Sequence, residues 1–152
     1  MCRHTAGLLA LVGRIAICAI FFTSAIANKI PNFNQTVDVM RAKEIPFPQV
    51  ALVLAIIMLI VGSASVVVGF KSRWGAAMLL AFLTLATFYF HDFWNVGSDA
   101  VRVQQIMFMK NVSIGGTMLL IIATGPGPWS IDACCDSKGN CDSDDGLDGE
   151  NS

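Results

Sequence analysis

Four long apolar segments, separated by short polar connections, dominate this chain of 152 residues. They cover residues 8–27, 50–70, 74–90 and 103–124. At about 1.5 Å per residue, each segment approaches the ~30 Å needed to cross the hydrocarbon core of a bilayer. Lipid offers no partners to backbone N–H and C=O groups, and the segments lack the strict alternation of a barrel strand. The pattern therefore predicts an all-α fold, a four-helix transmembrane bundle.

The connections and the end of the chain divide it further. Residues 71–73 alone join the second and third segments, which predicts an antiparallel helical hairpin. A short amphipathic stretch, 35–42, is predicted to lie on the surface within the first connection. The last part of the chain is acidic and rich in Gly, Ser and Asp. We predict a membrane domain over residues 1–133 and a disordered, acidic, cysteine-containing tail over residues 134–152.

The first segment has a second interpretation as a cleaved signal peptide. Arg3 and Arg14 lead into an apolar run, and residues 25–27 are similar to a small-x-small cleavage site. Cleavage would leave three spans. With four spans, both termini share one side of the membrane with the 71–73 turn. Two cations in that short turn favour a cytoplasmic location for this side, and so for both termini.

Composition agrees with a membrane protein and narrows the function. Charged residues make up 14% of the chain, against roughly 25% in soluble domains, and the mean hydropathy is +0.63. The lipid bilayer is therefore the expected environment. The formal net charge of −1 predicts no nucleic-acid partner, since phosphate binding requires a basic face. The sequence contains no complete catalytic constellation, so a stand-alone enzyme is not predicted.

Ionisable residues inside or beside the spans are the candidates for a polar pocket. Arg14 and Lys110 fall within the first and fourth segments, where each either reaches the headgroups or is paired inside the protein. Lys29, His91 and Asp92 end the first and third segments, at the same predicted depth as Lys110. Together they could form one site, in which Asp92 pairs with Lys110 and His91 titrates near neutral pH. The alternative places His91 and Asp92 in an aromatic belt at the interface.

The cysteines form a separate group of candidates. Cys134, Cys135 and Cys141 follow the last span, on the side predicted to be cytoplasmic, where structural disulfides are not expected. They could bind a soft metal or exchange with a thiol partner. Because they lack a paired C-x-x-C framework, no metal site is assigned to them. Cys18 lies in the middle of a span and is predicted to be a small buried residue.

Several short motifs follow one another along the chain. They are Gly13-Arg14-Ile15, Pro46-Phe47-Pro48, Gly69-Phe70-Lys71-Ser72-Arg73, the run from Thr87 to Trp94, Phe108-Met109-Lys110-Asn111 with Gly115-Gly116, and the run from Gly125 to Asp132. Over residues 13–133, this ordered series resembles the DoxX family. The resemblance implies a four-helix integral membrane protein, located in the inner membrane if the source is a bacterium. Many relatives also carry a glutamate in the second span before a Gly-Gly pair. This chain has no carboxylate in the matching region, 58–63.

The resemblance also implies a function. It predicts an accessory membrane subunit of a redox or thiol-handling complex, with oxidoreductase or thiol-handling subunits as partners. A quinone is the cofactor that the resemblance, and nothing else, implies. The alternative is a small-molecule binding or transport unit with a polar pocket near one membrane face. Glycines and serines within the spans, among them Gly62, Gly75, Gly115 and Gly116, are interpreted as packing contacts between helices.

Overall fold

The long helices expected from the apolar segments are present in the expected order. The structure, a computed structural model, describes residues 3–90, 98–127 and 129–132, without the side chains of 3, 4 and 98–100. Its elements are α1 Arg3–Thr23, a π-helix Ser24–Lys29, α2 Phe33–Ala42, α3 Pro48–Val68, α4 Ser72–Phe90 and α5 Ser98–Thr124. The tail predicted over residues 134–152 lies outside the described residues.

Four described stretches are long and apolar enough to cross a membrane. They are Thr5–Lys29, Pro48–Val68, Ser72–Phe90 and Val101–Thr124. Each overlaps one of the four apolar segments, so the prediction of a four-helix transmembrane bundle is confirmed. The first stretch joins α1 to the π-helix without interruption. It contains Arg14, as expected from the first apolar segment.

The core joins all four long helices. Helix α3 packs against α1 and α4, and α4 packs against α5. Side chains from each helix are fully or almost fully buried in one cluster, which includes Cys18, Phe21, Leu59, Leu79 and Met118. Cys18 is completely buried, as predicted. Helix α1 therefore supplies part of the shared core as one of the four candidate spans.

Small residues set the distance between α3 and α4. A Cβ atom added to Gly75 would lie 2.7 Å from the Cβ of Ser65 and 2.9 Å from the carbonyl oxygen of Gly62. Such close backbone approach is the usual role of small residues between helices in lipid, as predicted for this pair. Gly116 differs, because a Cβ atom there would meet nothing within 4 Å. The interpretation of Gly116 as a packing contact within the bundle was wrong.

Helix α2 covers one end of the bundle. Its apolar face buries Val37 and Met40 against Leu52 of α3. Its polar face carries an exposed ion pair between Asp38 and Arg41, with an N–O distance of 3.2 Å. The predicted amphipathic stretch is therefore a helix that begins two residues earlier, at Phe33. It forms a cover over the space between the ends of α3, α4 and the π-helix.

Candidate functional site

A cavity of about 420 Å³ lies beneath α2. This volume falls within the ~300–1,000 Å³ typical of small-molecule sites. Most of the wall is apolar, and a few polar groups lie near the π-helix and α2. The lining residues are Asn28, Lys29, Thr36, Met40, Ile45, Ala51, Leu52, Leu54, Ala55, Met58, Phe82, Leu85, Ala86, Tyr89 and Phe90. The composition suits a molecule that is apolar over most of its surface.

The cavity extends from one membrane face towards the middle of the bilayer and is open to lipid. Met58 lies ten residues after Pro48, the first residue of α3, which corresponds to about 15 Å along the helix. That is about half of the ~30 Å hydrocarbon core. Leu54 and Leu85 line the cavity although they are 55% and 59% exposed. A molecule dissolved in the membrane could therefore reach the cavity from the side.

Lys29 supplies the cation of the cavity. The wider turn of the π-helix, with i→i+5 periodicity, places Lys29 above Ser24, and the Lys29 Nζ donates a hydrogen bond to the Ser24 hydroxyl at 3.0 Å. The same Nζ lies 5.4 Å from the centroid of the Phe82 ring, within the range of a cation–π interaction. The ammonium is thus directed back along the helix instead of outwards to the headgroups. It forms no ion pair with any carboxylate that the structure describes.

Arg14 lies in the other half of the bundle and is paired inside the protein. Its side chain is only 4% exposed. One guanidinium nitrogen, Nη2, donates to the carbonyl oxygen of Trp129 at 2.7 Å, and Nε donates to the carbonyl oxygen of Ala10 at 3.4 Å. Of the two interpretations, interior pairing therefore applies to Arg14. These two partners are backbone carbonyls, whereas the third nitrogen, Nη1, is buried without a hydrogen-bond partner among the described residues.

Residues 125–127 and 129–132, the closing segment, return to the turn between α3 and α4. The Asp132 carboxylate accepts hydrogen bonds from the backbone N–H groups of Lys71 at 2.8 Å and Ser72 at 3.1 Å, and from the Ser72 hydroxyl at 3.0 Å. The Asp132 N–H donates to the carbonyl oxygen of Gly69 at 2.9 Å. Asp132 therefore caps the first turn of α4 from 60 residues away in sequence, where a negative charge also complements the helix dipole.

The ionisation of Asp132 links this contact to pH. Partial burial alone would raise the pKa of the carboxyl, but hydrogen bonds from Lys71 and Ser72 and the charge of Arg73 outweigh burial, so the pKa is lowered. A carboxyl with a lowered folded-state pKa stabilises the fold above its unfolded pKa, about 3.9, and this contribution is lost as the pH falls through the folded-state value.

We therefore expect an acid-dependent loss of stability that originates at Asp132. Thermal unfolding of the purified protein should move to lower temperature as the pH falls below about 4. In Asp132→Asn, the midpoint should start lower at neutral pH and change less over the same acid range. If the unfolding midpoints of the two proteins fell in parallel with pH, Asp132 would not be the source of the acid-dependent loss of stability.

The structure separates the predicted pocket residues. Arg14 and Lys29 are 15 positions apart on one continuous helical stretch, about 22 Å along its axis. Lys110 is exposed on α5, where its Nζ lies 3.4 Å from the sulfur of Met107 on the same helix, and it does not line the cavity. His91 and Asp92 lie outside the described residues, as do the thiol candidates Cys134, Cys135 and Cys141. Of the described pocket candidates, Lys29 lines the cavity, whereas Arg14 and Lys110 do not.

Comparison with known proteins agrees with this architecture. The sequence profile of the DoxX family matches residues 9–92, a stretch that includes Arg14, Lys29 and the walls of the cavity. The chain belongs to the DoxX family. The DoxX relatives include two proteins of Escherichia coli K12: the inner membrane protein YphA is 38% identical over 82% of this chain and 88% of its own length, and the inner membrane protein YqjF is 34% identical over 84% and 92%.

More distant similarity reaches eukaryotes. A Surfeit locus protein 4 homolog of Schizosaccharomyces pombe is 34% identical over 53% of this chain and 27% of its own length. No solved structure matches the chain. As a DoxX protein with four spans, it is a multi-pass membrane protein whose bacterial relatives are named inner membrane proteins. The closing segment and the α3–α4 turn that it contacts lie at the same face of the bundle, as four spans require. The cytoplasmic location of that face stays a prediction.

Several elements of the site in this DoxX protein were not predicted from its sequence. The π-helix that aligns Lys29 with Ser24 has no local sequence signal. The role of Asp132 as a cap was not predicted either, because its partners lie 60 residues away. The apolar wall formed by residues such as Ala55, Met58 and Phe82 is indistinguishable in sequence from lipid-facing surface. In the described part of the chain, no group of three His, Cys, Asp or Glu side chains comes together as a metal site.

Proposed function

We propose that this DoxX protein binds a small, lipid-soluble molecule in the cavity beneath α2, with the polar part of the molecule at Lys29. One observation carries the proposal: a lysine ammonium is directed into an apolar cavity and is not ion-paired with any described carboxylate. An ionisable group at this depth costs free energy unless a partner compensates for lost hydration. A hydroxyl and an aromatic ring compensate only in part. A ligand oxygen at the same position would complete the coordination of the ammonium.

The lateral opening supports the same function. Because Leu54 and Leu85 are both exposed to the lipid side and part of the wall, the cavity is accessible to compounds that partition into the bilayer. Helix α2 covers the end that faces the headgroups. A quinone, which the family resemblance implies, belongs to this class of molecule, since its carbonyl oxygens could accept from Lys29. The accessory role in a redox or thiol-handling complex stays a prediction from the resemblance.

Photo-crosslinking with a neutral probe tests the proposal. The purified protein in lipid nanodiscs is irradiated with a diazirine-bearing dodecanol, and the labelled residues are located by mass spectrometry. We expect saturable labelling at cavity residues such as Ala55, Met58 and Ala86, which excess unlabelled dodecanol should prevent. Labelling of outward residues such as Ile57 should not saturate, because it reports contact with bulk lipid.

A matched pair of variants defines the site. Ala55→Phe places a ring in the cavity, whereas Ala64→Phe adds the same ring to an exposed position of the same helix. We expect saturable labelling to fall at least fivefold in Ala55→Phe and to stay unchanged in Ala64→Phe. If labelling of the cavity residues is no more saturable than labelling of the outer surface, or if both variants behave alike, the cavity is not a binding site.

A further inference from the structure

We infer that the molecule bound in the cavity is a single-chain amphiphile with one carboxylate, of the fatty-acid class. This inference rests on the proposed function and specifies its ligand. Three features of the described residues lead to it: the unbalanced charge of Lys29, the hydrogen-bond donors of its ammonium, and the size of the cavity.

The positive charge of Lys29 favours an anionic ligand. Lys29 contacts a neutral hydroxyl and the face of a neutral ring. None of the described acidic side chains is ion-paired with Lys29. Asp38 pairs with Arg41 on the outside of α2, and Asp132 caps α4 at the opposite end of the bundle. Glu44 is exposed beside the cavity residue Ile45 and forms no ion pair with Lys29. A buried or half-buried cation is most stable beside a partner of opposite charge. A monoanionic headgroup would balance the single ammonium, which a neutral carbonyl compound cannot do.

The donors suit two oxygen atoms. An ammonium has three N–H groups, and Lys29 uses one of them on the Ser24 oxygen. Two N–H groups of the ammonium therefore remain for other acceptors, and Lys29 itself lines the cavity. A carboxylate offers two oxygens on one carbon, and its charge strengthens the hydrogen bonds that it accepts from an ammonium.

The size of the cavity suits one chain. The volume of about 420 Å³ lies in the lower part of the ~300–1,000 Å³ range of small-molecule sites. A single acyl chain with one carboxylate, such as dodecanoic acid, is a ligand of this class, whereas a two-chain phospholipid is much larger. The apolar wall continues from Phe82 to Leu54 and Leu85, which open to lipid. A longer chain could therefore leave the cavity through the lateral opening.

The experiment compares headgroups on one chain length. Dodecanoic acid, dodecanol and dodecyl phosphate compete with the diazirine-bearing dodecanol for the cavity residues, at a pH well above the ordinary carboxyl pKa of ~4.3. In the wild-type protein, we expect dodecanoic acid to compete at least roughly tenfold more strongly than dodecanol, a difference of about 1.4 kcal/mol. Dodecyl phosphate, with its larger and more highly charged headgroup, should compete less well than the acid.

Variants at two lysines assign the preference. In Lys29→Met, the advantage of dodecanoic acid over dodecanol should disappear while dodecanol still competes, so loss of folding is distinguished from loss of recognition. Lys110→Met removes an exposed cation of the fourth span that does not line the cavity, and it should keep the full preference.

The possible results separate this inference from the proposed function. Equal competition by acid and alcohol would overturn the inference and leave the proposed function intact. An acid preference that persists in Lys29→Met would overturn the inference and the placement of the polar group at Lys29, while the cavity would remain a binding site. Stronger competition by dodecyl phosphate than by the acid would also overturn it, in favour of a phosphate headgroup. Failure of all three compounds to reduce labelling would overturn the inference and the proposed function together.

Discussion

Gly75→Ala is expected to lower the stability of the bundle by about 2 to 3 kcal/mol, the upper range for overpacking in a well-packed core. The new Cβ atom would lie 2.7 Å from the Cβ of Ser65 and 2.9 Å from the Gly62 carbonyl oxygen. Both atoms belong to or adjoin the backbone of α3, so no side-chain rotation can relieve the contact. Helices α3 and α4 would have to separate. The measurement is the midpoint of thermal unfolding in detergent, together with the yield of folded monomer.

Gly116→Ala is the matched control, since it introduces the same methyl group into α5 where nothing lies within 4 Å. Alanine favours the helix over glycine by ~0.5–1 kcal/mol, so this variant should be as stable as the wild type or slightly more stable. A Gly75→Ala protein as stable as Gly116→Ala would show that α3 and α4 do not approach as described.

Asp132→Ala is expected to destabilise the protein by about 1 to 3 kcal/mol, because it removes a helix cap and its charge-assisted hydrogen bonds. The N–H groups of Lys71 and Ser72 would lose their acceptor. The closing segment would lose part of its attachment to the α3–α4 turn. Besides thermal unfolding, limited proteolysis after residue 124 should become faster, because the closing segment would detach more often.

Asp38→Ala provides the control for loss of a carboxylate. Asp38 also accepts a hydrogen bond from a basic partner, Arg41, but both side chains are exposed. Such surface pairs contribute at most ~1 kcal/mol and often nothing measurable. Equal effects of the Asp132 and Asp38 substitutions would contradict the capping role. A normal unfolding midpoint with faster proteolysis in Asp132→Ala would confine that role to the closing segment.

One end of the bundle contributes to stability, and the other end forms the proposed ligand site. At one end, Arg14 and Asp132 attach the closing segment to α1 and to the α3–α4 turn. At the other end, the π-helix, α2 and the ends of α3 and α4 surround the cavity. Because the hydrogen bonds of the closing segment lie at the end away from the cavity, variants of this segment should alter stability more than ligand recognition. Lys29 variants should do the opposite.

The sequence by itself determined the number, order and extent of the membrane helices. A span must be long, apolar and helical, since lipid supplies no hydrogen bonds, and this constraint acts on each segment separately. The family could also be recognised from the sequence, because its short motifs, including the one that contains Asp132, occur in order along the chain. The burial of Cys18 and the close packing at Gly75 also followed from local composition.

Only the tertiary structure decided which ionisable groups meet and what they contact. Equal depth suggested that Lys29 and Lys110 share a site, but the rotation of each helix about its axis places Lys29 at the cavity and Lys110 on the outside. Arg14 is paired with the carbonyl of a residue 115 positions away. In a membrane, both faces of a helix are apolar, so the hydrophobic pattern does not specify its rotation. Packing of small residues and a few polar contacts specify it, and these exist only once the helices have assembled.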